Sequence, residues 1–192
     1  MSASLSNAIK DDHRAIFNAW DQYQKAAGDN DAQTRWGNEL MWNIAVHSAG
    51  EEIAVYPLFE KHLGAEGTKM ANEDRADHLK VKKLLAKAEG MTVGSSEYNQ
   101  TLETVMKELK EHIDGEENHD FPLLEPKLGE QGSKAAATSF ERTKMFVPTR
   151  AHPNAPDRPP FETLAGFLAA PIDKLMDAFS RFPTEEMKKN AS

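Results

Sequence analysis

The sequence predicts an all-α protein: an antiparallel four-helix bundle built from a 65-residue internal repeat, followed by a C-terminal extension. Three observations predict it. Through the first two thirds of the chain, apolar residues recur at spacings of three, four and seven, the period of one helical face. No run of strand length alternates apolar and polar residues. When the chain slides by 65, residues 47–71 match residues 112–136 at 12 of 25 positions, where chance gives about one or two. Helices of bundle length with short connections suit an up-and-down bundle.

The elements follow in order. Residues 5–27 carry Leu5, Ile9, Ile16, Phe17, Trp20 and Tyr23 on one stripe and stop at Gly28, as a helix C-terminus does. Residues 32–63 carry Trp36, Leu40, Ile44, Val46 and Ile53, with Pro57 expected to kink or interrupt the helix near its end. Residues 68–89 carry Met70, Leu79, Val81, Leu84 and Leu85 and stop at Gly90. Residues 96–128 carry Tyr98, Leu102, Val105, Met106, Leu109 and Ile113, with Pro122 and Pro126 late in the run. Residues 1–137 are therefore expected to form the bundle and 138–192 an extension. In that extension a short helix over 138–147 precedes a strap, 148–160, holding Pro148, Pro153, Pro156, Pro159 and Pro160. Proline density makes the strap extended and stiff. Helical spacing returns over 161–182 with Phe161, Leu164, Phe167, Leu168, Ile172, Leu175 and Phe179. The strap is expected to lay this helix back on the bundle, or to offer it for self-association or docking of a partner.

Composition narrows the function classes. The 192 residues hold 23 Lys+Arg and 31 Asp+Glu, a formal net charge of −8, with seven histidines and no cysteine. No cysteine means no disulfide, thiolate metal site, iron–sulfur cluster or cysteine nucleophile. No basic stripe is present to displace counterions from nucleic acid. The apolar runs are too short to span a membrane, and no basic segment followed by an apolar one opens the chain. A cytoplasmic protein with no nucleic-acid or membrane partner is expected.

The repeat sorts the histidines. His47-x-x-x-Glu51-Glu52 falls on His112-x-x-x-Glu116-Glu117, and Asp12-His13 falls on Asp77-His78. The separations His13 to His47 and His78 to His112 are both 34. Each copy thus supplies one histidine from its first helix and a His-x-x-x-Glu from its second, with the i and i+4 side chains on one face. Two copies about a pseudo-two-fold axis aim four histidines and two carboxylates at one point in the core. Imidazole and carboxylate suit first-row metals such as iron. Two carboxylates can each bridge two ions, with the imidazoles as terminal ligands and room left for a bridging oxo or hydroxo group and an open position.

These residues resemble the hemerythrin-like HHE family of cation-binding domains over roughly residues 5–136. The tail around Phe146-Val-Pro-Thr-Arg-Ala-His-Pro resembles that of fungal members. The resemblance implies a four-helix bundle holding a non-haem centre of two iron ions, with manganese as the alternative metal. By position, His13, His47, His78 and His112 would be terminal ligands and Glu51 and Glu116 the bridges. It implies binding or sensing of dioxygen, iron or a related small ligand such as peroxide or nitric oxide. The alternatives are a di-iron oxidoreductase that activates oxygen or breaks down peroxide, and iron storage. The invertebrate oxygen carriers have a His-x-x-x-His on the third helix, whereas here Asp74 stands four before His78. The fifth imidazole is missing, or replaced by Asp74, by His119 or by water, which argues against simple reversible carriage.

The other residues have plainer expectations. His119 makes a Glu-x-x-His with Glu116, a pattern that ligates di-iron in ferritin-like bundles, but its repeat counterpart is Ala54. Glu52 and Glu117 lie about a quarter-turn round the helix from their neighbours and are expected in surface pairs or beside the ligands. Asp12 and Asp77 are expected in solvent or orienting a histidine. His62 suits a helix end and His152 a structural or solvent-facing place in the strap. Trp20, Trp36, Trp42, Met41 and Tyr56 are expected in the core; the repeat counterpart of Tyr56 is Phe121.

Overall fold

The structure is a computed structural model that describes residues 4–156, 158 and 161–191, without the side chains of 161–167. The described residues form helices and connections, with no strand among them. Helix α1 (Leu5–Lys25) starts where the Ser4 hydroxyl accepts from the Asn7 N–H, and it buries Leu5, Ile9, His13, Ile16 and Tyr23 on one face. Helix α2 (Asn30–Ala54) is capped by Asp29, whose carboxylate accepts from the Asp31 and Ala32 N–H groups. Those side-chain acceptors satisfy N–H groups that the first helical turn leaves free.

From Ile44 to Glu52 every residue of α2 is buried. A surface helix buries one stripe; α2 is enclosed because α1, α3 and α5 all pack on it. It stops at Ala54, and α3 (Tyr56–Glu89) begins with Pro57 in its first turn. Proline cannot donate to the ladder, which is why the expected interruption falls here. The second helix pair is α4 (Ser96–Gly115) and α5 (Phe121–Lys144), joined by one π turn over Glu116–Asp120.

Two glycines at repeat-related positions bend the long helices: Gly64 at φ 63° in α3 and Gly129 at φ 64° in α5. Both lie in the left-handed region that costs a residue with a Cβ. The short helix expected over 138–147 is not separate. After the Gly129 bend, α5 runs on unbroken to Lys144, because Ala136, Ala137 and Phe140 bury against the bundle.

Two apolar clusters fill the interior. One gathers Ile16, Trp36, Leu40, Ile44, Leu85, Leu102 and Leu109. The other gathers Leu5, Ile9, Tyr56, Phe59, Phe121, Leu124 and Phe140. On α1 the boundary between them falls at His13, with Ile9 in one cluster and Ile16 in the other. On α3 it falls around His78, with Ala71 and Val81 on either side. A polar layer therefore crosses the core at one level.

The last helices, α6 (Phe161–Asp177) and α7 (Glu185–Asn190), follow the strap. The expected apolar contact of α6 is not what holds its described part. Leu168, Ile172, Leu175 and Phe179 are all more than 60% exposed. Its anchor is polar: the buried Asp173 carboxylate accepts from the Thr149 and Arg150 N–H groups and lies 2.9 Å from His152 Nε2. His152 is thus structural. Pro159, Pro160 and the side chains of Phe161, Leu164 and Phe167 lie outside the described residues.

The bend after Gly64 brings Gly67 against the preceding turn, where a Cβ would sit 2.0 Å from the Phe59 carbonyl oxygen. At the repeat-related Gly132 the nearest atom would be Leu128 Cβ at 3.4 Å. Gly67→Ala is expected to cost about 1–3 kcal/mol, while Gly132→Ala gains helix propensity and costs nothing. Thermal or urea unfolding of the two variants checks this; equal effects would contradict the bend described here.

Candidate metal centre

The polar layer is made by four helices and the π turn. His13 comes from α1, His47 and Glu51 from α2, His78 and Asp74 from α3, His112 from α4 and Glu116 from the first position of the π turn. His13, His47, Glu51, His78, His112 and Glu116 are each at most 5% exposed. Each glutamate meets one histidine from each half of the repeat. Glu51 Oε2 lies 3.1 Å from His47 Nε2 and 3.5 Å from His78 Nε2. Glu116 lies 3.4 Å from His112 Nε2 and 3.5 Å from His13 Nε2. His78 Nε2 and His112 Nε2 face each other at 3.0 Å. Candidate ligand atoms converge in three overlapping groups: His13, His47, Glu51 and Glu116; Glu51, His78 and His112; Asp74, His112 and Glu116.

The outward ring nitrogens are held too. His13 Nδ1 is 2.7 Å from Glu117 Oε1, and Glu117 is 3.5 Å from Lys10 Nζ. His47 Nδ1 is 3.4 Å from Asp12 Oδ2, and Lys144 Nζ donates to Asp12 at 2.7 Å. His78 Nδ1 is 3.0 Å from Glu52 Oε1, and Lys82 Nζ donates to the other oxygen of Glu52. Three histidines thus carry a carboxylate that is itself paired with a lysine. The fourth, His112, has Asp74 Oδ1 at 3.7 Å from its Nδ1, with no lysine or arginine in ion-pair range of Asp74 among the described residues. A carboxylate on one ring nitrogen fixes the tautomer and aims the other nitrogen inward.

Electrostatics shows how poorly these groups suit one another alone. Burial and then the facing Glu116 raise Glu51 above the usual carboxylate range. Burial also opposes charge on Glu116, but the imidazoles of His112 and His13 outweigh it and hold its pKa at about 2. Burial works against a charged His47, yet Glu51 and Asp12 on its two sides push it up to about 10. Burial, followed by Glu116 and Asp120, raises Asp74 to about 9. Several polar atoms are buried with no hydrogen bond at all: His13 Nε2, His47 Nε2, both oxygens of Glu51 and Glu116 Oε2. A buried polar atom without a partner costs about 1–3 kcal/mol, more when charged. The donor set, imidazole and carboxylate without thiolate, fits first-row divalent or trivalent ions. The residues present therefore fit a metal group.

A family model for the hemerythrin HHE cation binding domain matches residues 4–124. This chain belongs to that family. It is also 51% identical, over 179 residues, to an uncharacterised hemerythrin-like protein of Schizosaccharomyces pombe (strain 972 / ATCC 24843), covering 93% of this chain and 88% of that one. No solved structure gives a significant match. Hemerythrin HHE domains bind metal ions, typically iron, and the buried histidine–glutamate groups mark this member as a metal-binding protein of the same kind.

The structure brings together all six residues singled out by the repeat, with Asp74 beside them. It does not bring His119. That side chain is 63% exposed and its Nδ1 sits 2.7 Å from Asp120 Oδ1. The reason is the π turn over 116–120: it winds less per residue than an α-helix, so the third residue no longer returns to the face of Glu116. Asp77 follows the solvent expectation and pairs with Lys80, whereas Asp12 takes the other one, beside His47 Nδ1. Glu52 is the reverse case. Its surface alternative is corrected, because it is 1% exposed and takes a histidine of the opposite half.

Tyr56 was expected in the core, a redox role being disfavoured because its repeat counterpart is Phe121. Its ring is in the apolar cluster, but its hydroxyl lies 3.1 Å from His78 Nε2 and 3.5 Å from Glu116 Oε1. The signal was a departure from the repeat, since Phe121 at the matching position has no hydroxyl.

The outer carboxylates generate a prediction. Glu52→Gln and Glu117→Gln are expected to weaken metal affinity about 10–100-fold, measured by competition with a chelator. Asp77→Asn should leave affinity unchanged. Equal affinity in all three variants would contradict an orienting role for Glu52 and Glu117.

Proposed function

We propose that this chain holds two iron ions, with manganese as the alternative metal, and binds dioxygen or a related small ligand at them, as an oxygen or iron binder or sensor. One observation carries the reading: each of two buried carboxylates, Glu51 and Glu116, faces one histidine from each half of the chain. That pattern suits two ions sharing both carboxylates, with His13 and His47 on one ion and His78 and His112 on the other. Asp74 is the remaining oxygen donor beside His112.

When bound, a pair of iron ions supplies Lewis acidity and two electrons for chemistry at a small ligand. The residues of the chain do the rest. Glu117, Asp12 and Glu52 hold their imidazoles at Nδ1 so that each Nε2 points inward. Ile9, Ile16, Tyr56 and Phe121 pack on both sides of the layer and exclude bulk water. The Tyr56 hydroxyl brings a hydrogen-bond donor, with its proton held by burial well above the usual phenol range.

A second reading is an oxidoreductase that activates oxygen or breaks down peroxide. The observation favouring it is the Tyr56 hydroxyl among the inner atoms of the site. A hydroxyl at that place could hydrogen-bond a ligand as it reacts. The asymmetry of Tyr56 against Phe121 places that donor on one side.

Metal analysis after reconstitution is expected to give two iron per chain. His112→Ala should lose metal and lower the melting temperature of the loaded protein, whereas His152→Ala should keep both ions. A value near one or zero in the unmodified chain would overturn the two-ion reading. On the loaded protein, a coloured oxygen form that reverses without turnover supports the binder. Repeated turnover of peroxide supports the enzyme.

A further inference from the structure

Helix α6 lies on the protein with its polar side inward. The charged residues of its described part, Asp173, Lys174 and Asp177, share one helical face, and each is tied down. Asp173 accepts from the Thr149 and Arg150 N–H groups, Lys174 donates to the Met145 carbonyl, and Asp177 Oδ1 is 3.5 Å from Arg150 Nη2. Beyond the helix the chain is pinned to α2 by more polar contacts. Asn38 donates to the Arg181 carbonyl at 2.8 Å, and Arg35 donates to the Phe182 carbonyl at 2.9 Å. These anchors fix an orientation that turns the other face of α6 to solvent.

That outward face is apolar. Leu168, Ile172, Leu175 and Met176, with Phe179 in the turn that follows, are 48–83% exposed. At about 150–250 Å² for a large side chain, they leave on the order of 650 Å² of apolar surface in water. The largest apolar patch of a typical monomer is about 300–600 Å². An ordinary amphipathic helix buries this face against its own core, and here the anchors hold it away.

Two observations choose the occupant. Leu168, Ile172, Leu175 and Phe179 follow one another at spacings of four, three and four, the period of a seam that packs against another helix of the same kind. The second observation is charge. The chain carries a net −8, and the cations around α6 are already engaged: Lys174 on a carbonyl, Arg150 on Asp177 and Arg181 on Asp31. A helix that lies on a bilayer carries Lys and Arg to meet anionic lipid, which this setting does not supply. Two copies meeting on the seam set no like charges against each other, because its described residues carry none.

We propose that α6 is a dimerisation helix, through which two copies of this chain pair seam on seam across a two-fold axis. A two-fold joins the same patch of both subunits, so the patch must complement itself. The exposed area approaches the roughly 800 Å² per partner of a standard interface. The pairing uses no residue of the polar layer and needs no metal.

Sedimentation equilibrium of the full chain, with and without iron, tests this. Two copies per particle are expected in both forms at about 100 μM, a concentration that populates a micromolar dimer. Leu175→Glu should weaken the dimer at least about tenfold, or about 1.4 kcal/mol. Its helix content by circular dichroism should not change, because Leu175 is exposed in each copy. Leu175→Met, which keeps the seam apolar, should retain the dimer. A single copy of the unmodified chain at that concentration overturns the proposal. An undiminished dimer in Leu175→Glu overturns it as well, because the interface then lies elsewhere. Loss of helix content in Leu175→Glu also overturns it, since Leu175 is then packed within its own chain. In flotation with phosphatidylglycerol vesicles the chain should stay in solution; recovery with the vesicles overturns the second copy in favour of lipid.

Discussion

The structure depends on one constraint: a layer of imidazoles and carboxylates lies in the middle of an apolar core. Four histidines and two glutamates are buried there, and several of their inner atoms have no hydrogen bond. Such a layer is expensive to bury unless something positively charged completes it. Every larger feature of the bundle serves that layer. Apolar clusters above and below keep water out, and α2, the helix with two of the six groups, is enclosed on all sides through that stretch. The surrounding carboxylates and lysines carry the charge balance outward until it reaches solvent.

The two halves solve the problem in related but unequal ways. His13 and His78 are each held by a glutamate of the opposite half, Glu117 and Glu52, so these contacts tie one half to the other. His47 is held by Asp12 and Lys144, but His112 has only Asp74 at a longer distance. The first half breaks its helix at Pro57, and the second passes Glu116 through a π turn. Tyr56 places a hydroxyl on one side of the layer, and Phe121 places none on the other. The candidate ligand groups of the two halves therefore have different surroundings.

Much of this was legible in the sequence, for a physical reason. The helix period fixes which residues share a face, so His47 with Glu51 and His112 with Glu116 could be placed before any coordinates. The repeat then supplied the long-range pairing that periodicity lacks. What escaped depended on local geometry. A π turn is not visible in composition, and it carries both Glu116 and the exposed His119. Contacts between the halves, such as Glu52 with His78, need the packing of α2 on α3. Helical spacing left α6 either packed on the bundle or turned outward, and only packing decides: in the described part Leu168, Ile172 and Leu175 are exposed, while Asp173 accepts from the strap backbone.

The central claim is that both glutamates are shared between two metal ions inside the bundle. Anomalous diffraction from crystals of the iron-loaded chain tests it directly. The account predicts two iron peaks about 3.5–4 Å apart, both within bonding distance of Glu51 and Glu116, one beside His13 and His47 and the other beside His78 and His112. A single peak, or iron held away from either glutamate, would contradict it.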